Sequence, residues 1–229
     1  TTPDGSLVAM VHCNNCTSDL NAWVNLFKEY QELLGIPVDM NEVYGKLYNN
    51  ALKGNPDCGG LISYNYISGE PVTGLAEGRP LFVRSANDKF NLANFMRAHL
   101  YASVGVLKIG NDILFNEEKI KVDRITGHGG LFKTKGVGQR VLAAAINSPI
   151  SVMETAGEGG AWGIALLASY LVNNANGLNL ADYLDKVVFA GDAGVEIAPT
   201  QEDVDGFNAY IENYKAGLAI EEAAVKAKK

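Results

Sequence analysis

Three cysteines and three histidines, scattered through 229 residues, leave little material for a metal centre or a disulfide framework. Cys13, Cys16 and Cys58 are an odd number, which fits a reducing, cytoplasmic setting rather than a cross-linked scaffold. Cys13-Asn14-Asn15-Cys16 has CxxC spacing, but zinc needs a second ligand pair. Ordinary thiols near a helix start therefore rank ahead of a metal or redox role. Excess positive charge is absent too: the formal net charge is -7, and only Lys226-Ala227-Lys228-Lys229 is locally basic. That balance argues against nucleic acid as a partner. No apolar run is long enough to span a bilayer, because Ala161 to Val172 is interrupted by Gly163, Ser169 and Tyr170. There is no initiator Met and no signal peptide, and Thr1-Thr2-Pro3-Asp4-Gly5 reads as a turn inside something larger. An excised fragment is the expectation.

What is present is ordinary for a globular α/β chain: 47% hydrophobic and 20% charged residues, enough for one large domain. Strands are expected at Leu7 to His12, Leu61 to Ile67, Leu81 to Val83, Lys121 to Ile125 and Ile150 to Met153. Ser18 or Asp19 caps a helix in which Leu20, Trp23, Val24, Phe27, Tyr30, Leu33 and Leu34 recur at helical spacing. Further helices are expected over Asn41 to Leu52, Asn91 to Leu107, Thr134 to Ile146, Gly160 to Val172 and Glu202 to about Ala224; before the last, Ala181 to Val188 reads as less regular, with a turn at Gly191-Asp192. Ile113-Leu114 can continue the long helix. Alternating strands and helices imply helices covering a mixed sheet.

Two glycine turns run into helices, at Gly127-His128-Gly129-Gly130 and at Glu158-Gly159-Gly160. Bare backbone amides at a helix start suit a phosphate or a ribose. Close packing through glycine is the competing explanation and stays open. The first turn is not a P-loop, since Phe132 stands where the glycine before Lys133-Thr134 is needed, and it is not GxGxxG. His128 reads as a hydrogen-bonding loop residue rather than a base, and Tyr64, Tyr66 and Tyr101 as core aromatics. The helix with Gly163, Ala165 and Ala168 reads as close packing within the core. Asp4, Asp19, Glu70 and Glu154 form no recognisable catalytic pair or metal-ligand spacing.

In order, these segments resemble the C-terminal domain of FGGY-type carbohydrate kinases, within the actin- and hexokinase-like fold group. Tyr66-Ile67-Ser68-Gly69-Glu70 is similar to the family's Tyr-Leu-Ser-Gly-Glu turn. Phe95-Met96-Arg97-Ala98 resembles its Arg-Ala-x-x-Glu-Gly helix. Gly129-Gly130, then Gln139 to Ala145 and Ser148-Pro149-Ile150, resemble its Gly-Gly, Gln-Ile-Leu-Ala-Asp and Leu-Pro-Val run, and Glu158 to Ala168 its small-residue helix. Four departures bear on ligand contacts: Pro71 for Arg, two extra residues near Leu131-Phe132, Ser18 before Trp23 in place of a glycine, and Ala144 for Asp.

The resemblance implies a ribonuclease H-like (actin-like ATPase) α/β domain with a mixed sheet flanked by helices. Residues 1-229 would be a single C-terminal domain whose N-terminal sugar-binding domain is absent. It implies ATP with Mg2+, a ketopentose substrate (D-xylulose first, L-ribulose as rival), and partners limited to sugar, nucleotide and that N-terminal domain, a homodimer being open. Gly129 and Gly130 would lie against the α-phosphate and ribose, Lys133 or Thr134 near adenine, with Gly127 and Ser18 completing the nucleotide site. The catalytic carboxylate would lie in the N-terminal domain, so no catalytic residue or metal ligand is assigned here and the isolated domain is expected to be inactive. With no catalytic carboxylate to name, a non-catalytic nucleotide-binding or interaction module is the second reading.

Overall fold

The computed structural model describes residues 1–154, 159–174, 177–191 and 194–227. Helix α1 (Ser18–Leu33) buries Leu20 and Val24, with Trp23 and Phe27 partly buried beside them. The expected stripe stops there: Tyr30, Leu33 and Leu34 face outward, Leu33 being 82% exposed. Thr17, not Ser18 or Asp19, holds the cap position, without a side-chain bond. Helix α2 (Met40–Ala51) starts on Asp39, whose carboxylate accepts the Asn41 N–H at 2.8 Å. Helix α3 (Leu92–Asp112) is capped in the same way by Asn91 and is buried without a break from Asn94 to Val106. It is the central element, and it continues through a π-helical turn at Ile113–Glu117.

Strand β1 (Ile62–Tyr64) pairs antiparallel with β2 (Leu81–Val83), Ser63 opposite Phe82. β1 is shorter than expected because side chains capture the backbone beyond it. Asn15 Oδ1 accepts the N–H groups of Ile67 and Ser68, each at 3.0 Å. Helix α4 (Val137–Ile146) begins three residues later than expected, after Gly136 at φ +79°. Strand β3 (Ile150–Val152) pairs antiparallel with β4 (Val195–Ile197). A parallel bridge joins Thr126 to Ser151, with Gly127 N–H to Ser151 O and Ser151 N–H to Ile125 O, both 2.9 Å. Among the described residues the sheet content is therefore two antiparallel pairs and two isolated bridges, this parallel one and an antiparallel one between Glu70 and Leu75, rather than a continuous mixed sheet.

Two expected strands are not formed. Residues 7–12 make no ladder and Leu7 is 92% exposed. Residues 121–125 likewise stay irregular, with Val122 outward at 49% exposure while Ile125 packs on the core. An apolar run at 7–12 and alternation at 121–125 supplied the patterns, but a strand needs a neighbour for its backbone groups. Helix α5 (Gly159–Asn173) also departs from expectation: none of its described residues is buried, and Leu171 is 83% exposed. Helix α6 (Leu180–Tyr183) runs into a π-helical turn at Leu184–Val188. The expected final helix is two, α7 (Gln201–Ala216) and α8 (Leu218–Lys226), divided at Gly217. A Cβ on Gly217 would lie 2.2 Å from the Tyr64 hydroxyl, so the chain bends where Tyr64 reaches across to the Tyr214 carbonyl at 2.9 Å. Glu158 and Asp192, named in two expected turns, lie outside the described residues.

The core has Tyr64, Tyr66 and Tyr101 fully buried, as their apolar setting in the sequence implied, joined by Phe207, Tyr210 and Tyr214 from α7. One ion pair sits inside it. Arg97 on α3 donates to Asp203 on α7 at 2.5 Å and to the Gly54 carbonyl at 3.1 Å. Arg140 on α4 reaches the other Asp203 oxygen at 3.0 Å. Burial pushes the Asp203 carboxyl up, but bonds from Thr200, Arg140 and Arg97 outweigh it and hold it below the usual carboxylate range. Replacing Asp203 with Ala leaves Arg97 buried without its partner, so chemical denaturation should show a loss of about 3 kcal/mol. A loss under about 1 kcal/mol would mean the pair is not what ties α3 to α7.

His99 is another buried polar group of α3. Its Nδ1 lies 2.9 Å from Ser63 Oγ and 3.7 Å from Asp19 Oδ2. The second distance would make an ion pair only if the ring were protonated; burial lowers its pKa to about 3, so the ring is neutral at ordinary pH. In the unfolded chain His99 takes a proton near pH 6.5, whereas in the folded chain it does so only near 3. Its contribution is complete above pH 6.5 and is lost as pH falls below that, at up to roughly 1.4 kcal/mol per pH unit. Stability measured from pH 7 to 4 should fall more steeply for the native chain than for H99Q. Parallel curves would contradict the assignment.

Candidate functional site

The glycine turn lies where three anchors meet. The Thr126–Ser151 bridge fixes its start. A Cβ on Gly127 would come within 2.5 Å of the Phe132 ring, so this glycine is required by packing. A Cβ on Gly138, the second residue of α4, would come within 2.6 Å of the Leu131 carbonyl oxygen, which seats the loop on the helix. Between these contacts Gly129 has φ +104°, a conformation that favours glycine. Gly130 opens a short 3-10 turn to Phe132 and has nothing within 4 Å of the position a Cβ would take.

That open space is the junction of two cavities. One, of about 450 Å³, lies between the loop and the first two helices: Gly130, Leu131, Lys133 and Thr134 face Thr17 and Asn21 of the α1 start. Its far wall is α2, which supplies Asn41, Tyr44, Gly45 and Tyr48. The other, of about 490 Å³, runs from Thr126–Phe132 towards His12, Cys13 and Cys16 and is floored by Val104, Leu107 and Leu142. Thr17, Gly130 and Leu131 line both.

The structure thus brings five of the six expected site residues to these cavities: Gly127 and Gly129 to the second, Lys133 and Thr134 to the first, Gly130 to both. Ser18 is exposed and lines neither; its neighbour Thr17 faces both. His128 is exposed on the second cavity and its ring closes on Gly159, where a Cβ would be 3.3 Å from Nδ1. The Ser-Gly-Glu turn takes part indirectly. Glu70 is buried and its Oε2 accepts the N–H groups of Asn14 at 3.0 Å and Asn15 at 3.3 Å, so it holds the segment that delivers Thr17. Gln139 has a similar supporting part, donating to the Ile150 and Val195 carbonyls at 3.1 and 2.8 Å and joining α4 to β3 and β4.

Asn21 and the α2 wall were not read from the sequence. A signal existed: Asn41, Tyr44, Gly45 and Tyr48 stand at i, i+3, i+4 and i+7, one face of a helix made of polar, aromatic and glycine residues instead of aliphatic ones. Tyr44 donates its hydroxyl to Asn21 Oδ1 at 3.0 Å, and its ring meets Tyr48 edge to face at 5.5 Å. The CxxC thiols line the second cavity as free cysteines. Burial first, then the charge of Glu70 and the neighbouring Cys16, push the Cys13 thiol up to about 11, and burial raises Cys16. Both stay protonated at neutral pH, which weakens them as nucleophiles or metal ligands. Among the described residues no three His, Cys, Asp or Glu side chains converge as a metal site, and no helix is long and apolar enough to cross a membrane.

An α/β domain with a cleft divided by a glycine turn defines the general class. The particular family follows from residues 1–172, which match the model for the FGGY family of carbohydrate kinases, C-terminal domain; the chain belongs to this family. Solved structures with a similar fold include xylulose kinase from Rhodospirillum rubrum, 18% identical with a TM-score of 0.63, covering 91% of this chain and 38% of that one. Gluconate kinase from Lactobacillus acidophilus is 21% identical with a TM-score of 0.59, covering 77% and 35%. Glycerol kinase from Plasmodium falciparum with ADP is 18% identical with a TM-score of 0.55, covering 87% and 37%. The chain thus spans well under half the length of these proteins. A search of curated protein sequences finds no match.

The two glycines of the turn should separate in a thermal melt. Gly127→Ala drives a methyl into the Phe132 ring and should cost about 1–3 kcal/mol, the usual range for overpacking. Gly130→Ala meets nothing and should melt within a degree or two of the native chain, a change below roughly 0.5 kcal/mol. Equal melting of the two variants would refute the division between a packing glycine and a cleft glycine.

Proposed function

We propose that this chain is the nucleotide-binding half of an ATP-dependent carbohydrate kinase. Its part in the reaction is to seat the nucleotide so that the γ-phosphoryl group can pass to a sugar hydroxyl. The observation that carries this is the unfilled space above Gly130, where two ligand-sized cavities meet. Adenosine would occupy the 450 Å³ cavity, with ribose and α-phosphate against Gly129 and Gly130 and the base near Lys133, Thr134 and the α2 wall. Gly127 holds the turn by its packing, and Thr17 stands in the place expected for Ser18. The glycerol kinase among the similar structures is described with ADP, which supports a nucleotide as the ligand.

The similar structures are kinases of xylulose, gluconate and glycerol, which supports a small polyhydroxy acceptor as the substrate class. Within it D-xylulose is our first candidate and L-ribulose the second. ATP brings Mg2+ on its phosphates in this reading, and the chain's own work is positioning and charge placement. The fold is read as ribonuclease H-like, its sheet here reduced to two pairs, and the setting as cytoplasmic. The whole chain 1–229 is read as one C-terminal domain that works against an N-terminal sugar domain.

No Asp or Glu among the described residues lines either cavity, and in this reading the N-terminal domain supplies the carboxylate that takes the sugar proton. That favours, as a second reading, a nucleotide-binding module without chemistry of its own. An upstream frame encoding a Gly-Thr phosphate turn and a catalytic Asp decides for the kinase. ADP titrated calorimetrically into this chain should bind, and Gly130→Val should weaken it at least roughly tenfold, about 1.4 kcal/mol, without unfolding. Unchanged affinity in that variant removes the placement. With ATP and D-xylulose this chain alone should show negligible phosphorylation; measurable turnover would place the catalytic group here.

A further inference from the structure

We propose that the second cavity holds the nucleotide's outer phosphate, with His12 and His128 as the side chains that bind it beside a row of open backbone N–H groups. The inference rests on the nucleotide reading above and fills the part of the cleft that adenosine leaves free.

The glycine turn is bonded within the chain at both ends and open between them. The N–H groups of Gly127, Phe132 and Lys133 donate to the carbonyls of Ser151, Gly129 and Gly130. Those of His128, Gly129, Gly130 and Leu131, consecutive in the chain, donate to no described residue. All four of these residues line the second cavity, whereas only Gly130 and Leu131 line the first. Successive amides without a protein acceptor suit an anion. With ribose and α-phosphate at Gly129 and Gly130, a phosphate chain leading away from the first cavity enters the second.

Two imidazoles stand on that cavity, and among the described residues lining it only they can carry positive charge. His12 is held in a defined way. The Gly69 carbonyl can only accept, so the Asn14 Nδ2 that lies 2.8 Å from it is the donor and Asn14 Oδ1 is left facing His12. That oxygen accepts the His12 Nε2–H at 3.0 Å, which leaves Nδ1 as the open atom of the ring. His128 belongs to the turn itself, and its ring has no hydrogen bond to a described residue. Nothing on the described walls repels an anion. No Asp or Glu lines this cavity, the Glu70 carboxylate behind it is turned onto the Asn14 and Asn15 N–H groups, and both thiols are protonated.

Adenosine, AMP and ADP, titrated calorimetrically into this chain, are the probes. ADP should bind at least about tenfold tighter than AMP, the size of one charge-assisted hydrogen bond. Replacing both imidazoles, His12→Ala with His128→Ala, should bring ADP to within about threefold of AMP while AMP and adenosine bind as they do to the native chain. Asn14→Ala keeps His12 but frees its ring, and should weaken ADP alone. Both histidines are exposed, and melting curves establish that the variants are folded. A native chain that binds AMP as tightly as ADP, or an ADP-to-AMP ratio unmoved in the double variant, overturns the inference while adenosine binding keeps the nucleotide site. If none of the probes binds the native chain, the functional reading falls and this inference with it.

Discussion

The buried pair between Arg97 and Asp203 is the interaction on which the rest of the architecture depends. Arg97 lies in the middle of the buried stretch of α3; its partner comes from α7, more than a hundred residues later. The same carboxylate takes Arg140 from α4, and the same guanidinium takes the carbonyl of Gly54 after α2. Four elements are thus referred to one pair of charges. A charge buried in this way costs several kcal/mol unless its partner arrives, so any packing that leaves α7 away from α3 is heavily penalised. The pair specifies arrangement more than it adds net stability.

That arrangement sets the geometry of the cleft. With α4 fixed to α7, the loop before α4 is pressed onto the helix through Gly138 and closed on itself through Gly127 and Phe132. What remains is a single glycine, Gly130, that packs against nothing and looks onto both cavities. Glycine serves opposite ends within four residues here: one removes a side chain so that protein can fill the space, the other so that the space stays open. The α2 wall completes the cleft because the Ser-Gly-Glu turn, through Glu70, holds Asn14 and Asn15 and so delivers the start of α1 opposite the loop.

The sequence made the helices legible because their signals are local: the apolar spacing of α1 and α3, and Gly35 and Gly54 just beyond α1 and α2. It made the glycine turn legible as a candidate, and the family resemblance gave that turn a ligand. It did not show the α2 wall, since a face of Asn, Tyr and Gly acquires meaning only when α1 and the loop stand across from it. It also promised strands at 7–12, where an apolar run finds no ladder, and at 121–125, where alternation is present but only Ile125 meets a neighbouring strand. Likewise it promised a buried α5, whose described contacts are at its edges, Tyr170 and Ser169 against Tyr183 of α6, and leave its small residues uncovered.

Residue chemistry by itself determined the family, the helical frame and the residues of the glycine turn, because those depend on side-chain type and short spacing. The tertiary structure alone decided which glycine faces packing and which faces the cleft. It also decided that Thr17 rather than Ser18 looks inward, and that Asn21 meets Tyr44. Each of these depends on the distance between elements far apart in the chain, and no local pattern carries that distance.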